Sequence, residues 1–268
     1  MRGVFRRGRH AALGAALVAA ALAVPAAPAA AEEPAVPPGL DFEDCPALPE
    51  GADPELWFCN TAVVGGGRLK LGRIDQEINA PLKITYATGY DAETGEELPF
   101  LMAPMRGQVR IDGGLAGIPG TDRLKLLQVH AQPELTEPLK VTPPVASRTW
   151  FLIKMRIKLV NPILGKECHI GSAADPITLE MGIAPTSPPA PNEPISGSAP
   201  VTLPGDPPVW KIGLVDNAFA VPGAVDCGYK GFLDKGVNWR AGIPAAAGKN
   251  TAVFDLYLVS KPYSELPA

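Results

Sequence analysis

Histidine is scarce in this sequence, and familiar catalytic motifs are missing. The 268 residues contain three histidines. His10 lies in an N-terminal leader, so only His130 and His169 remain for catalysis by a histidine base. The G-x-S-x-G, H-E-x-x-H, P-loop and EF-hand patterns are also missing from the sequence. We therefore predict no catalytic residue and no cofactor from the motifs.

Long apolar runs are missing as well. The longest, Ala11 to Val24, is shorter than the roughly 20 residues that span a bilayer. Arginines precede it, and small residues follow at Ala29 to Ala31. This order is typical of a secretory signal peptide. We predict that cleavage near Ala31 removes residues 1–31. The remaining chain is predicted to have no transmembrane anchor and to be secreted to the extracellular or cell-wall space.

Basic residues are too few and too dispersed for a nucleic-acid surface. Without the four arginines of the leader, 20 Lys and Arg face 28 Asp and Glu, which gives a net charge of −8. The densest basic group is Lys154, Arg156 and Lys158, which alternates along one predicted strand. Because binding to a polyanion depends on clustered cations, we predict no nucleic-acid partner.

The four cysteines, Cys45, Cys59, Cys168 and Cys227, all follow the leader. An oxidising compartment and the lack of a C-x₂-C pair favour two disulfides over a zinc site. Three pairings are possible. The pairing Cys45–Cys59 with Cys168–Cys227 is favoured, because it connects neighbouring segments without a crossing. We predict no metal site. The acids Asp41, Glu43 and Asp44 are interpreted as a solvated acidic start of the mature chain, and calcium binding through their oxygens is the alternative.

Alternating apolar residues predict strands throughout the chain. The clearest strand runs from Phe151 to Leu159, whose odd positions are apolar and whose even positions include three cations. With 31 prolines and 28 glycines, little room is left for helices. The sequence predicts an all-β antiparallel β-sandwich of jelly-roll or immunoglobulin-like topology. The other predicted strands are Arg68 to Ile74, Leu82 to Ala87, Gly107 to Ile111, Leu124 to Ala131, Ile177 to Met181, Trp210 to Val215 and Thr251 to Ser260.

Proline and glycine mark the segments between these strands. Residues 184–208 are rich in proline, which favours a long surface loop over an interdomain linker. The three glycines at 65–67 predict a turn before a strand at Arg68. A short helical turn is expected at Lys235 to Arg240. We predict an N-terminal segment at 32–60 with a local disulfide loop, then one sandwich domain at 61–268.

Three stretches of the second half resemble a group of uncharacterised secreted proteins of actinobacteria. They are Cys168-His169-Ile170-Gly171-Ser172 continuing to Asp175-Pro176-Ile177, the run Pro188 to Gly197, and Ala220 to Ala224 before Cys227-Gly228. The stretch Gly242 to Thr251 is similar to the ending of that group. The resemblance covers about residues 150–258. It implies secretion and a bridge between Cys168 and Cys227, and it carries no activity or ligand.

Two tryptophans and several acids in the last third form a candidate ligand face. Trp210, Asp216, Asp226 and Trp239 would suit a sugar ring stacked on indole beside hydrogen-bonding carboxylates. Turn aspartates and core tryptophans are the alternative interpretation. Glycosidases need two carboxylates at a suitable separation, which Asp216, Asp226, Asp234 and Asp255 would have to supply.

Three functions follow as hypotheses. The first is a secreted, disulfide-stabilised and non-catalytic protein that binds a cell-wall glycan or an envelope lipid, or has a structural role in the cell envelope. The second is a secreted carbohydrate-active enzyme with paired carboxylates. The third is a carrier that holds an apolar ligand between its sheets, which the 46% hydrophobic composition favours only weakly because the leader contributes to it.

Overall fold

A computed structural model describes residues 36–141 and 149–267 of the chain. The predicted signal peptide lies outside the described residues. Fourteen strands and one α-helix are present in this part of the chain. The strands are β1 Trp57–Leu71, β2 Ile74–Glu77, β3 Leu82–Gly89, β4 Leu101–Met102, β5 Val109–Arg110, β6 His130–Leu135, β7 Lys140–Val141, β8 Phe151–Val160, β9 His169–Ile170, β10 Ile177–Met181, β11 Ser198–Leu203, β12 Val209–Asp216, β13 Ala224–Val225 and β14 Thr251–Pro262. Helix α1 spans Asp234–Ala241, and 3₁₀ turns occur at Pro54–Leu56, Thr121–Arg123, Tyr229–Gly231 and Tyr263–Glu265.

The strands form two antiparallel sheets. Sheet I has the order β11-β12-β14-β1-β3-β4, and β2 also pairs with β1. Sheet II has the order β13-β9-β8-β6-β5, and the short strands β7 and β10 pair with β8. The long strands β1 and β8 therefore form the centre of the two sheets, and each is paired along both edges.

The inner faces of the two sheets share one hydrophobic core. In β8, residues from Phe151 to Leu159 alternate between buried and half-buried, with the apolar side chains inside. Ala62, Val64 and Leu256 supply the facing surface from sheet I. Side chains that alternate in this way fit a sandwich whose sheets pack face to face. The predicted all-β sandwich is confirmed.

The segment before β1 covers the outer face of sheet I. Leu40 and Phe42 pack on a small cluster that includes Tyr257 and Val259. A disulfide between Cys45 and Cys59 anchors this segment to β1. The Thr61 hydroxyl donates to the Asp41 carbonyl at 2.7 Å, and the Tyr263 hydroxyl donates to the Pro46 carbonyl at 2.7 Å. Sheet I is thus covered on both faces over part of its area.

The acidic residues of this segment bind a buried lysine. Lys83 Nζ lies 2.5 Å from a carboxylate oxygen of Asp41 and 3.0 Å from one of Asp44. Asp44 also pairs with Arg106 at 2.5 Å. Burial opposes ionisation of Asp41, but the hydrogen bonds from Lys83 and the backbone, together with the charge of Lys83, outweigh burial and lower the pKa of Asp41. The predicted solvated acidic start is wrong for Asp44, which is mostly buried in this ion pair.

Several local predictions are wrong, each for a tertiary reason. The three glycines at 65–67 lie inside β1, where the register against β14 shifts between Val64 and Gly66. Gly67 has φ +114°, and a Cβ there would collide with the backbone of Val253. These glycines therefore form a bulge in a long strand, where a turn was predicted.

Two further segments differ from prediction. Residues 124–131 form mostly turns, and β6 begins only at His130, because Leu124 and Leu126 point to solvent. The proline-rich segment contains β11, which is an edge strand of sheet I. Its register is irregular between Ser198 and Val201, around Pro200. A proline is tolerated there because an edge strand and an irregular register both relieve the missing N–H.

Candidate functional site

A cavity lies between the two sheets. Its volume is about 460 Å³, and its wall is almost entirely apolar. β1 and β3 contribute Ala62 and Ile84 to the wall, and β8 contributes Met155 and Ile157. A typical small-molecule site has a volume of about 300 to 1,000 Å³ and is lined mostly by hydrophobic side chains. The space is therefore large enough for an apolar molecule of ordinary ligand size.

Few polar side chains border the cavity. The Gln76 side chain accepts from Asp112 N at 2.9 Å and donates to the Glu77 carbonyl at 3.0 Å, so its amide is already hydrogen-bonded. Burial raises the pKa of Tyr86 to about 12, so its hydroxyl is neutral. Arg240 is the only charged residue of the described wall. The wall thus provides hydrophobic contact everywhere and charge at one place.

The cavity opens at one end of the sandwich. Its solvent-exposed wall residues are Ala116, Ile163, Gly236 and Trp239, while the rest are buried or half-buried. Gly236 and Trp239 belong to α1, so this helix forms part of the mouth. A shallow groove lined by Tyr229, Phe232 and Ile163 adjoins the mouth.

The second disulfide holds the mouth in place. Cys168 in the loop before β9 is bridged to Cys227, seven residues before α1 begins. Gly228 N donates to the Leu164 carbonyl at 2.6 Å, and Leu233 N donates to the Cys227 carbonyl at 2.9 Å. The bridge and these hydrogen bonds attach the segment that leads into α1 to sheet II.

The structure separates the two tryptophans of the candidate ligand face. Trp239 lies at the cavity mouth, where the Arg73 guanidinium is 6.0 Å from its ring centre. Trp210 lies near the start of β12 and is 49% exposed. It precedes Asp216 by six residues, or roughly 20 Å at the rise of a strand. Asp216 is at the end of β12 nearest α1, because it pairs with Ala252 at the start of β14.

The candidate carboxylates occupy different environments. Asp216 is buried and accepts from Glu180 N at 2.7 Å and from Ala218 N at 2.9 Å. Burial raises the pKa of Asp216, although these two donors lower it. Asp234 accepts from the backbone N–H that follows Asp226, at 2.7 Å. Both carboxylates therefore accept hydrogen bonds from backbone N–H groups and stabilise the local backbone conformation.

The remaining two acids are placed differently again. Asp226 is exposed and has φ +57°, a conformation that aspartate adopts in turns. Asp255 lies on β14 opposite Gly66 and Gly213, on the face of sheet I that carries Tyr257. The carboxylates that the enzyme hypothesis requires are thus spread over a strand end, a turn, a helix start and a strand face.

His130 and His169 take part in the strands of sheet II. His169 is buried, and its Nδ1 lies 2.7 Å from the Glu167 carbonyl. Its Nε2 is 3.3 Å from a carboxylate oxygen of Glu134, which also pairs with Arg156 at 2.9 Å. His130 begins β6 and pairs with Val160. Neither histidine lines the cavity.

Sequence reasoning did not identify the cavity wall or its mouth. Apolar residues at alternate positions are expected on the inner faces of any sandwich, whether the sheets touch or enclose a space. The mouth does carry a local signal, because Tyr229 and Phe232 are large apolar residues in a segment rich in glycine and lysine. Such residues outside predicted strands point to an exposed apolar surface.

The comparisons with known proteins give no family. No protein-family model matches the sequence, and the search of curated proteins finds no significant match. Within the described residues, no helix is long and apolar enough to cross a membrane. The same part of the chain contains no group of three or more His, Cys, Asp or Glu arranged to hold a metal ion.

Proposed function

We propose that the protein is a secreted, disulfide-stabilised carrier that holds an apolar ligand between its two sheets. The observation that carries the proposal is the apolar cavity of about 460 Å³ with a single exposed mouth among its described wall residues. The carrier is the third of the hypotheses from the sequence, and the cavity gives that hypothesis a location in the fold.

The energetics of an empty cavity support occupation. Cavities left by core truncation lower stability by about 24 cal/mol per Å³. An unfilled apolar cavity of about 460 Å³ therefore lowers the stability of the fold. A ligand that fills the space recovers much of this free energy through dispersion and hydrophobic burial.

The compartment is consistent with a carrier. Two disulfides are typical of proteins that fold in an oxidising environment. The predicted signal peptide and the resemblance to secreted proteins lead to the same place. An apolar molecule has low solubility in the aqueous space outside the cell, so a protein that encloses it would keep it dispersed there.

Native mass spectrometry of the protein recovered from culture medium tests the proposal first. We expect a retained mass that is lost under denaturing conditions. The protein is then stripped of ligand and titrated with the neutral apolar dye N-phenyl-1-naphthylamine. We expect one dye molecule to bind with a Kd of about 1 μM, an affinity typical of a small apolar ligand in an enclosed site.

Two variants locate the dye. Ala62 lines the cavity, so Ala62→Phe places a ring inside it and should weaken dye binding about tenfold or more. Ala220 is exposed and outside the wall, so Ala220→Phe adds the same ring elsewhere and should leave dye binding unchanged. Absence of both a retained mass and dye binding contradicts the proposal, as does equal binding by the two variants.

A further inference from the structure

Arg240 has no partner for its charge among residues 36–141 and 149–267. Its Nε is buried and makes no hydrogen bond, and no ion pair of the described residues includes it. The guanidinium lies directly against Gly117, where a Cβ would collide with it. Arg240 is also the only charged residue of the described cavity wall. A buried Nε–H without an acceptor is unfavourable unless a ligand supplies one.

We propose that the ligand is an amphiphile whose anionic head, a carboxylate or a phosphate, pairs with Arg240 while its chain fills the cavity. This inference rests on the proposed carrier function. The planar guanidinium presents paired N–H donors that match the oxygens of a carboxylate or phosphate. Because Arg240 is on α1 beside the mouth, the head would stay at the opening and the chain would extend between the sheets.

Displacement of N-phenyl-1-naphthylamine measures the contribution of the head group. The competitors share a sixteen-carbon chain and differ only at the head: hexadecanoate, hexadecyl phosphate, methyl hexadecanoate and hexadecyltrimethylammonium. On the unaltered protein, we expect the anions to bind about tenfold or more tightly than the cation. An anionic head forms a charge-assisted hydrogen bond with Arg240, and a cationic head cannot. The comparison of hexadecanoate with hexadecyl phosphate identifies the preferred head.

Variants then assign the preference to one residue. Arg240→Gln should weaken binding of the preferred anion about tenfold or more and leave the methyl ester within a factor of about two. Lys235→Gln removes an exposed cation from the same helix and should change neither. Equal affinity of anions, ester and cation for the unaltered protein overturns the inference, even if Arg240→Gln does not fold. Equal weakening of anion and ester by Arg240→Gln also overturns it. If the dye itself does not bind, the carrier proposal fails first.

The surface around the mouth is a second candidate site, because large apolar side chains project from it into solvent. Phe232 is 85% exposed, Tyr229 is 82% exposed and Trp239 is 73% exposed. Ile163 joins them to the cavity, since it lines both the cavity and the adjoining groove. We define the apolar rim as Leu124, Leu126, Ile163, Tyr229, Phe232 and Trp239.

Hydrogen bonds bring the parts of the rim together. The Asn161 side chain donates to the carbonyls of Leu126 at 2.9 Å and Gln128 at 2.7 Å, which fixes the 124–128 turns beside the loop that carries Ile163. Gly228 N donates to the Leu164 carbonyl, which fixes the Tyr229 turn beside the same loop. The rim is therefore one surface built from three segments.

The charge around the rim is opposite to that of the protein. The chain has a net charge of −4, but the segments that carry the rim expose five cations and one acid, Glu167. The other two acids of these segments are engaged, since Asp122 is buried and pairs with Arg110, and Asp234 accepts from Cys227 N. Counted over residues 122–128, 161–167 and 228–239, the exposed cations are Arg123, Lys125, Lys166, Lys230 and Lys235, and a further exposed acid, Asp226, lies just before the last of these segments.

We infer that the apolar rim docks on an anionic lipid surface. Tryptophan, tyrosine and phenylalanine interleaved with lysine favour the interface between lipid head groups and chains. Anionic lipids attract nearby cations. A second copy of the chain would bring two basic surfaces together, which like charges oppose. Docking at the mouth would let an amphiphile move between the lipid layer and the cavity without crossing water.

Sedimentation with vesicles tests the docking. Vesicles of phosphatidylcholine with phosphatidylglycerol should bind the protein. Vesicles of phosphatidylcholine alone should bind it with an affinity that is lower by about tenfold or more. The double variant Tyr229→Ser with Phe232→Ser should weaken binding to the mixed vesicles about tenfold or more. The matched control is Val201→Ser with Trp210→Ser, two exposed apolar residues of sheet I outside the rim, and it should bind as the unaltered protein does.

Vesicle binding tests the docking proposal independently of the carrier proposal. Ala62→Phe should bind vesicles normally, because the rim is intact although the cavity is partly filled. Lack of vesicle binding by the unaltered protein overturns the docking, as does equal weakening by the rim and control variants. Analytical ultracentrifugation provides a further test, since a dimer that Tyr229→Ser with Phe232→Ser abolishes would show that a second copy covers the rim.

Discussion

Ala62→Phe should stabilise the ligand-free protein. An engineered cavity of about 150 Å³ accommodates benzene, so the added phenyl ring would occupy about a third of the 460 Å³ between the sheets. At about 24 cal/mol per Å³, filling that volume is equivalent to about 3.6 kcal/mol. Loss of side-chain conformational entropy offsets about 1 kcal/mol. The expected net increase in the free energy of unfolding is about 2–3 kcal/mol.

Ala252 supplies a control with the opposite sign. It is fully buried on sheet I like Ala62, but it lies outside the cavity wall. Ala252→Phe should therefore overpack the core and lower the free energy of unfolding by about 1–3 kcal/mol. Guanidinium denaturation of ligand-free protein with intact disulfides measures both changes, with equal m-values as the check that unfolding stays two-state. Destabilisation by both variants to a similar extent would refute the cavity.

Three further predictions concern the bridge, the buried acid and the ion pair. Replacing Cys168 and Cys227 by alanine should lower the free energy of unfolding by about 4 kcal/mol, because the bridge closes a loop of 59 residues; equal denaturation midpoints would contradict this. Because burial raises the pKa of Asp216, the folded state binds its proton more tightly, and stability falls as pH rises through the folded pKa. Asp216→Asn should remove that pH dependence and lower stability by about 1–3 kcal/mol, since its amide would face a backbone N–H; an unchanged pH profile of thermal unfolding would count against it. Burial raises the pKa of Asp41 and Lys83 lowers it, so Lys83→Met should raise this pKa. In the unaltered protein, ionised Asp41 stabilises the fold at pH values above its ordinary pKa, and this stabilisation is lost as pH falls through the lower folded pKa. If an NMR titration gives the Asp41 carboxyl the same pKa in the variant as in the unaltered protein, this explanation is wrong.

Local patterns in the sequence predict strands that are half-buried along their whole length. β8 is the clear case, because Lys154 and Arg156 pair with acids of neighbouring segments on one face while its apolar residues enter the core on the other. β1 could not be predicted over its full length. Its three glycines are typical of a turn, and only the close backbone of β14 explains why glycine is required inside the strand.

The cavity is a property of the separation of the sheets, which no local pattern encodes. Ile157 would be apolar whether it touched sheet I or faced a space. The positions of the candidate ligand-face residues could not be predicted for a related reason. Trp210 and Asp216 are close in sequence, but a strand places them far apart, whereas Arg240 reaches the cavity from a helix that looked unremarkable in the sequence.

The pairing of β1 with β14 governs when this protein can fold. The two strands run together from Phe58 opposite Pro262 to Lys70 opposite Thr251, so the centre of sheet I joins segments near opposite ends of the chain. When the chain is synthesised from its N-terminus, β1 lacks this partner until β14 has been made. Because such distant pairing forms only once both segments are present, sheet I is completed late in folding.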